Sequence, residues 1–324
     1  MTMVFSVYQS TILILEYLHV VADVLASHSR ECFEAAKKAF ARLDKMIDSH
    51  AGARNVTILF NLCDDIRRFN TKLDVANFFR ALAGVISNIV QYNTNDPKAT
   101  SVADICDILT NKAYGDEINR LVRVTKLSYK SKCVNFKYRD TVNYARNVFV
   151  SPDSPARQWW YQTCTEFGWF HTTGQKEAVF GTRVPVDFHI SLCEDVFGPQ
   201  FNLNYMSGQI EKTNTHFGGR DINVRRVVFV QGSSDPWYPL GLTATTNPKS
   251  PVIFINGTSH CATMYGTSKN DLPQVTAARE EIDRLIGMWL GLKIRTQETL
   301  QNDATNSTLN VLLLVTCNFV IYKL

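Results

Sequence analysis

Two short apolar segments near the end of the chain restrict its fold more than any other feature. VRRVVFVQGSSDPW, residues 224–237, and SPVIFINGTSHC, residues 250–261, each join a β-branched run to a turn that contains glycine. Such runs are typical of buried strands in a parallel sheet. A loop or short helix connects them, and residues 271–292 have the apolar spacing of a helix. This order predicts the end of an α/β fold with a doubly wound sheet.

The first 150 residues have a helical pattern instead. Residues 31–47 place apolar side chains at spacings of three and four, and residues 73–92 repeat this pattern more strongly. No period dominates between residues 152 and 220, where aromatic and turn residues are frequent. No further strand is predicted upstream, and two strands alone do not make a stable covered sheet.

An acid and a histidine follow the two predicted strands. Asp235 comes after the first and His260 after the second, so both side chains are expected at the same edge of the sheet. An acid that orients a histidine base is the arrangement of α/β-hydrolases, whose chain order is Ser, then Asp, then His. A turn role for the Asp-Pro pair and a structural role for the histidine are the alternatives.

The nucleophile of such a site is not evident in the sequence. No serine stands in a Gly-x-Ser-x-Gly elbow, and Ser233 and Ser234 are too near Asp235 in the chain to serve it, so they are interpreted as turn hydroxyls. The thiol of Cys261 is a weaker alternative, because side chains of adjacent loop residues such as Cys261 and His260 diverge.

Composition excludes some functions and favours a compartment. A net charge of +4 without a basic run argues against nucleic acid as a partner. The eight cysteines include no CxxC pair, so a thiolate zinc site is disfavoured. No metal and no cofactor is predicted. Dispersed cysteines and glycosylation triplets together favour an oxidising secretory compartment, either lysosomal or vesicular or extracellular. The triplets begin at Asn55, Asn256 and Asn306.

Several segments in order resemble one peptidase family. The segments are QGSSDPWYPLG, VIFINGTSHCATMY, RQWWYQTCTEFGWFHT, DVFGPQF and FGGR. They resemble the serine exopeptidases of the prolyl carboxypeptidase and dipeptidyl peptidase II family, and most of all its thymus-specific serine peptidase branch. The resemblance runs from about Tyr17 to Leu292. It implies an α/β-hydrolase fold with a large, mainly helical domain inserted after the nucleophile strands.

The resemblance also implies roles for particular residues. Asp235 is then the triad acid, His260 the triad base, and Trp237 part of the wall of a pocket for a small residue such as proline. Peptides with proline near the cleaved bond are the implied substrates, whereas the choice between carboxypeptidase and dipeptidyl peptidase stays open, as does a homodimer. The implied disulfides are Cys32–Cys106, Cys63–Cys133 and Cys164–Cys193, with Cys261 and Cys317 unassigned.

The resemblance divides the chain into four parts. These are an unmatched start at 1–16, a helical inserted domain at 17–215, a C-terminal hydrolase segment at 216–297 and an apolar tail at 298–324. The serine elbow, oxyanion loop and first strands of the family would precede this chain, so we expect a fragment that is inactive as written. A non-catalytic secreted peptide-binding protein, or another α/β-hydrolase such as an esterase, is the alternative. The apolar run 309–322 is short for a spanning helix, and a lipid-anchor signal there is a weaker interpretation.

Overall fold

A computed structural model of the chain describes residues 16–130, 132–149, 156–174 and 178–292. Within these residues a series of helices comes first, and two short strands and a further helix follow. The helices are α1 (Glu16–His28), α2 (Arg30–Ile47), α3 (His50–Leu59), α4 (Lys72–Gln91), α5 (Val102–Thr110), α6 (Glu117–Tyr129), α7 (Tyr138–Arg146), α8 (Ala156–Gln162), α9 (Val186–Phe197), α10 (Leu203–Phe217) and α11 (Pro273–Trp289). The strands are β1 (Phe229–Gly232) and β2 (Val252–Ile255).

Helix α2 buries the apolar face that its sequence predicted. Ser29 caps its N-terminus by accepting a hydrogen bond from the backbone N–H of Cys32. The ring of Phe40 is fully buried and packs against the rings of Phe79 and Phe180, at centroid distances of 6.4 Å and 5.2 Å. Aromatic contacts of this kind hold α2 against α4 and against the segment that precedes α9.

Helix α4 is a core helix that leads into the C-terminal part of the chain. Thr71 caps it by accepting a hydrogen bond from the backbone N–H of Asp74. The helix is long and apolar enough to cross a membrane, but 72% of its apolar window is buried inside the structure. Contacts with α1, α5, α6 and α7 produce that burial. Its last residue, Gln91, lies where the helical core meets the residues that follow the strands.

Three disulfides cross-link the helical part, and they are the three pairs that the family resemblance implied. Each closes a loop of at least 29 residues, so each restricts the unfolded chain and contributes about 2–4 kcal/mol to stability. The bonds join Cys32 in α2 to Cys106 in α5, Cys63 after α3 to Cys133 after α6, and Cys164 to Cys193 in α9.

The two predicted strands pair in parallel, as expected. Phe229 faces Val252 at the start of the pairing, and Gly232 faces Ile255 at its end. Helix α11 packs against the strands through Ile282 and neighbouring apolar residues. The prediction that both strands are buried is wrong for β2, because Phe254 is 44% exposed. Its ring meets the ring of Tyr238 edge to face at 5.7 Å between centroids.

Helices α9 and α10 form in the region where the sequence showed no dominant period. Helix α9 buries residues at spacings of three and four, but His189 and Cys193 among them disguise an apolar stripe. Helix α10 buries only Met206 and Ile210, which is too few to produce a visible pattern. Helix α10 ends at Phe217, close to the predicted boundary after residue 215.

Some sequence predictions lie outside the described residues. They concern most of the predicted unmatched start, the apolar run 309–322 with its membrane or lipid-anchor alternatives, the Asn306 triplet and Cys317.

The burial of Phe40 predicts a large loss of stability when its ring is removed. Phe40→Ala should lower the free energy of unfolding by about 3–5 kcal/mol, because the cavity left between α2 and α4 cannot collapse fully. Phe149→Ala is the matched control, since Phe149 is 86% exposed and its change should stay within about 0.5 kcal/mol. Urea unfolding of both variants measures the difference, and equal losses would contradict the described core.

Candidate active site

Hydrogen bonds link the turn after β1 to the turn after β2. The hydroxyl of Ser233 donates to Asn256 Oδ1 at 3.1 Å and accepts from the backbone N–H of Gly257 at 2.8 Å. The backbone N–H of Ser234 donates to the carbonyl oxygen of Thr258 at 2.9 Å. A Cβ at Gly232 would overlap that same oxygen, so only glycine allows the two turns to approach this closely. Ser233 therefore has the turn role that the sequence predicted.

Asp235 and His260 meet at the carboxyl ends of the strands, where the sequence placed them. His260 Nδ1 lies 2.8 Å from Asp235 Oδ2, and each side chain is only 4% exposed. The other carboxylate oxygen, Oδ1, accepts the backbone N–H of Trp237 at 2.9 Å. An ionised carboxylate can only accept hydrogen bonds, so the ring proton of His260 belongs on Nδ1. Proton exchange with a substrate or nucleophile then falls to Nε2.

Gln91 at the end of α4 holds both members of this site in place. Its carbonyl oxygen accepts the backbone N–H of His260 at 2.9 Å. Its side-chain Oε1 accepts the indole N–H of Trp237 at 2.8 Å and the hydroxyl of Tyr17 at 2.7 Å. All of these groups are buried, so each bond satisfies a polar atom that water does not reach. One residue of the helical core therefore fixes the segments that follow both strands.

Trp237 inserts into the helical core from the C-terminal segment. It is 3% exposed, and its ring lies 4.6 Å from Tyr17, 5.0 Å from His171 and 5.5 Å from Trp169, measured between centroids. The ring of His171 also stacks on Tyr17 at 3.6 Å. Trp237 does not line the neighbouring cavity of the helical part itself, but it contacts two rings that do, those of His171 and Trp169. Its place in the wall of a substrate pocket stays a prediction.

A cavity of about 520 Å³ lies beside His260. The loop after α4, beginning at Tyr92, forms one side, and the turn from Gly257 to His260 forms the other. The ring of Tyr92 meets the His260 ring edge to face at 6.0 Å. The volume is within the range of about 300–1,000 Å³ that suits a small ligand or part of a peptide. The catalytic candidate thus borders a space that a substrate can enter.

A second cavity, of about 160 Å³, lies inside the helical part. Arg80, His171 and His189 line it together with aromatic side chains. Burial lowers the pKa of both histidines to about 3, and the charge of Arg80 adds to this effect. Both rings are therefore neutral at physiological pH. The His189 ring donates from Nε2 to the carbonyl oxygen of His171 at 3.2 Å.

Two alternatives from the sequence can be compared with the structure. Cys261 is disulfide-bonded, so its sulfur is not a thiol nucleophile beside His260. Among the described residues, no group of three or more His, Cys, Asp or Glu side chains is arranged to hold a metal ion.

Parallel strands that end in a buried Asp–His pair, joined to a largely helical part, are consistent with an α/β-hydrolase-like serine peptidase. The comparison with known families agrees, because serine carboxypeptidase S28 matches residues 7–282. The chain belongs to this family. The match begins upstream of Tyr17, within the segment that the motifs left unmatched.

Individual relatives support the same family. A Caenorhabditis elegans protein named as a candidate serine protease is 31% identical and covers 82% of this chain and 52% of its own. The thymus-specific serine proteases of Mus musculus and Homo sapiens are each 28% identical and cover 83% and 87% of this chain. The same alignments cover 53% of the length of the mouse protease and 56% of the length of the human protease. The chain thus spans about half the length of the curated relatives it matches.

Sequence reasoning found the Asp–His pair but missed the residues that support it. The sequence contained one signal for Gln91. It is a polar residue at the end of a strongly apolar helical face, and a polar side chain that is buried there needs a hydrogen-bond partner. Arg80 carried a similar signal within the same helix. Tyr17 and His171 had none, because their positions depend on contacts between distant segments.

The buried histidines predict that stability falls in acid. The pKa of His189 is near 6.5 in the unfolded chain and about 3 in the folded chain, so only the unfolded chain binds a proton at His189 between these pH values. The stability this contributes is present above pH 6.5 and is lost as the pH falls towards 3, by about 1.4 kcal/mol per pH unit. His189→Gln should therefore show a shallower loss between pH 6 and pH 4 in urea unfolding. Parallel curves for the two proteins would contradict the neutral buried ring.

Proposed function

We propose that this chain carries the acid and the base of a serine exopeptidase, with Asp235 as the orienting acid and His260 as the general base. The observation that supports this most strongly is the buried 2.8 Å hydrogen bond between Asp235 Oδ2 and His260 Nδ1. It lies at the carboxyl ends of adjacent parallel strands, where ligand groups of α/β folds gather. Membership of a serine carboxypeptidase family gives the pair its chemistry.

The pair would act by moving a proton at His260 Nε2. A serine hydroxyl gives its proton to Nε2 as its oxygen attacks the peptide carbonyl, and Asp235 stabilises the imidazolium that forms. The imidazolium then returns the proton to the leaving amine, the C–N bond breaks and an acyl-enzyme remains. Water repeats the sequence, losing a proton to Nε2 and releasing the acid product and the serine.

The nucleophile in this proposal is a serine outside the 324 residues. None of these residues forms a Gly-x-Ser-x-Gly elbow. Without a nucleophile and oxyanion donors, an acid and a base alone lose several orders of magnitude in rate. The 324-residue chain by itself is therefore inactive in this account, and the complete gene product is the peptidase.

The substrates in the proposal are peptides with proline near the cleaved bond. The proline preference comes from the family resemblance, which also gives Trp237 its expected place in the wall of the pocket for that residue. The same resemblance leaves a homodimer open.

The proposed location is the secretory pathway, in a lysosome, in a vesicle or outside the cell. The three disulfides suit an oxidising compartment. Asn55 and Asn256 are both exposed and begin acceptor triplets, so we propose that they carry glycans. A glycan on Asn256 would stand in the turn that precedes His260 and close to Ser233, whose hydroxyl donates to the Asn256 side chain.

Substitution of the acid gives the direct test of the proposed roles. In the complete gene product, Asp235→Asn should lower kcat on a proline-containing peptide by about 10⁴-fold, because the amide holds the wrong histidine tautomer. His260→Ala should cost at least as much. Asp283→Asn is the matched control, since Asp283 is exposed on α11, and its activity should equal that of the parent protein. Activity that survives Asp235→Asn would contradict the assignment.

A second measurement tests the nucleophile and the class of enzyme. A serine-reactive phosphonate should label the complete product on a serine outside the 324 residues. A label on a serine within them would overturn this part of the proposal. Turnover of short acyl esters without turnover of peptides would favour an esterase, and absence of both would favour a peptide-binding protein.

A further inference from the structure

The segment that follows His260 forms a further wall of the cavity beside it. This segment, residues 262–272, is called the wall loop below, and it ends where α11 begins. Most of its residues line the cavity, among them Tyr265, and Tyr92 lines it from the loop after α4. Partial burial raises the pKa of Tyr265, and the nearby hydroxyl of Tyr92 adds to this effect, so the two side chains are close. The position of the wall loop therefore determines the shape of the space beside His260.

Arg279 on α11 holds the wall loop at three points. Its Nη2 donates to the carbonyl oxygen of Ala262 at 3.0 Å and to that of Tyr265 at 2.9 Å. Its Nη1 donates to the carboxylate of Asp271. These acceptors extend from the first residue of the wall loop to its last but one. A single guanidinium, whose donors have a fixed geometry, thus fixes the loop along nearly its whole length.

The contact between Arg279 and Asp271 is reinforced from within the wall loop. Asp271 Oδ2 also accepts the backbone N–H of Ser268 at 2.9 Å. The hydrogen bonds from Ser268 and from Arg279 lower the pKa of the Asp271 carboxyl, which is therefore ionised at physiological pH. Hydrogen bonds between ionised partners are stronger than those between neutral ones. The charged pair is consequently a firm anchor for the end of the loop.

The guanidinium of Arg279 makes these contacts although one of its own donors is left over. Its Nε is buried, and among the described residues it has no hydrogen-bond partner. A buried donor without a partner is unfavourable, so the acceptors of the wall loop determine where this side chain lies. Arg284, one turn further along α11, differs because its Nε and Nη2 both donate to Glu281 on the same helix at 2.7 Å.

The wall loop is also tied to the helical part of the chain. Asn95, in the loop after α4, donates from Nδ2 to the carbonyl oxygen of Asn270 at 3.3 Å. Two walls of the cavity are thus linked by a hydrogen bond. The bond between Asp235 and His260 is formed by other residues. A displaced wall loop would therefore change the cavity and leave that bond in place.

We infer that Arg279 is a positioning residue for substrate binding, because it holds the wall loop where the loop forms one side of the substrate site beside His260. The inference rests on the proposed peptidase function and extends it to a residue outside the Asp–His pair. Arg279 acts through the backbone of the loop, and the loop residues that line the cavity contact the peptide. Contacts of this kind bind the ground state and the transition state alike, so their loss raises KM and leaves kcat nearly unchanged.

Kinetics of the complete gene product on a proline-containing peptide test the inference. Arg279→Met removes all three contacts and should raise KM about 10-fold, with kcat changed by less than about twofold. Arg279→Lys should restore part of the loss, since it keeps the charge beside Asp271 but not the fork of donors. Arg284→Met is the matched control, because it removes the same charge from the same helix at a side chain that is 46% exposed. An unchanged KM in Arg279→Met, or an equal rise in Arg284→Met, would overturn the inference.

Hydrogen exchange in the 324-residue chain reports on the wall loop without any need for a nucleophile. The backbone N–H groups of Ser268 and Asp271 are both hydrogen-bonded, so they should exchange slowly in the parent protein. Arg279→Met should speed their exchange at least about 10-fold. The N–H of Ser234, which bonds the turn after β2, should keep its rate. Fast exchange in the parent loop, or an equal loss of protection at Ser234, would contradict a role confined to the wall loop.

The two measurements separate this inference from the proposed function. Peptide cleavage with a raised KM in Arg279→Met supports both. Peptide cleavage with an unchanged KM keeps the proposed function and rejects the inference. A complete gene product that cleaves no peptide rejects the proposed function, and exchange at Ser268 then decides whether Arg279 holds the wall loop.

Discussion

The hydrogen bonds of Gln91 hold the candidate site together. This residue ends a core helix, yet its carbonyl binds the backbone of His260 and its amide oxygen binds the indole of Trp237 and the hydroxyl of Tyr17. Gln91 Oε1 is a buried acceptor shared between two donors, so the side chains of Trp237 and Tyr17 have little freedom to move. Loss of either hydrogen bond would cost about 1–3 kcal/mol. The orientation of the Asp–His pair is therefore set by the helical part as much as by the strands.

This arrangement gives the helical part a role in the candidate site. Helix α4 places Arg80 in the lining of the inner cavity and Gln91 beside the Asp–His pair, and the two residues lie about three turns of helix apart. A helix keeps two such positions at a fixed separation. The aromatic rings around Trp237 pack between the two positions, so the lining of the inner cavity and the placement of His260 share one packed unit.

Local sequence patterns predicted the helices and strands whose formation depends mainly on the spacing and type of neighbouring residues. The spacing of apolar residues predicted α2, α4 and α11, and the β-branched runs predicted both strands and their parallel order. The Asp–His pair could be placed because parallel strands end at one edge. Burial of β2 was predicted wrongly, since a strand pattern does not say how many helices cover it. The cavity around Arg80 could not be predicted, because it depends on contacts between helices far apart in the chain.

The central claim is that Asp235 holds His260 in the tautomer that a general base requires. NMR of the chain with ¹⁵N-labelled histidine rings reports directly which nitrogen of His260 carries the proton. We expect a proton on Nδ1 in the parent protein, hydrogen-bonded to the carboxylate, and its transfer to Nε2 in Asp235→Asn. A parent protein with the proton on Nε2, or a tautomer that does not respond to Asp235→Asn, would contradict it.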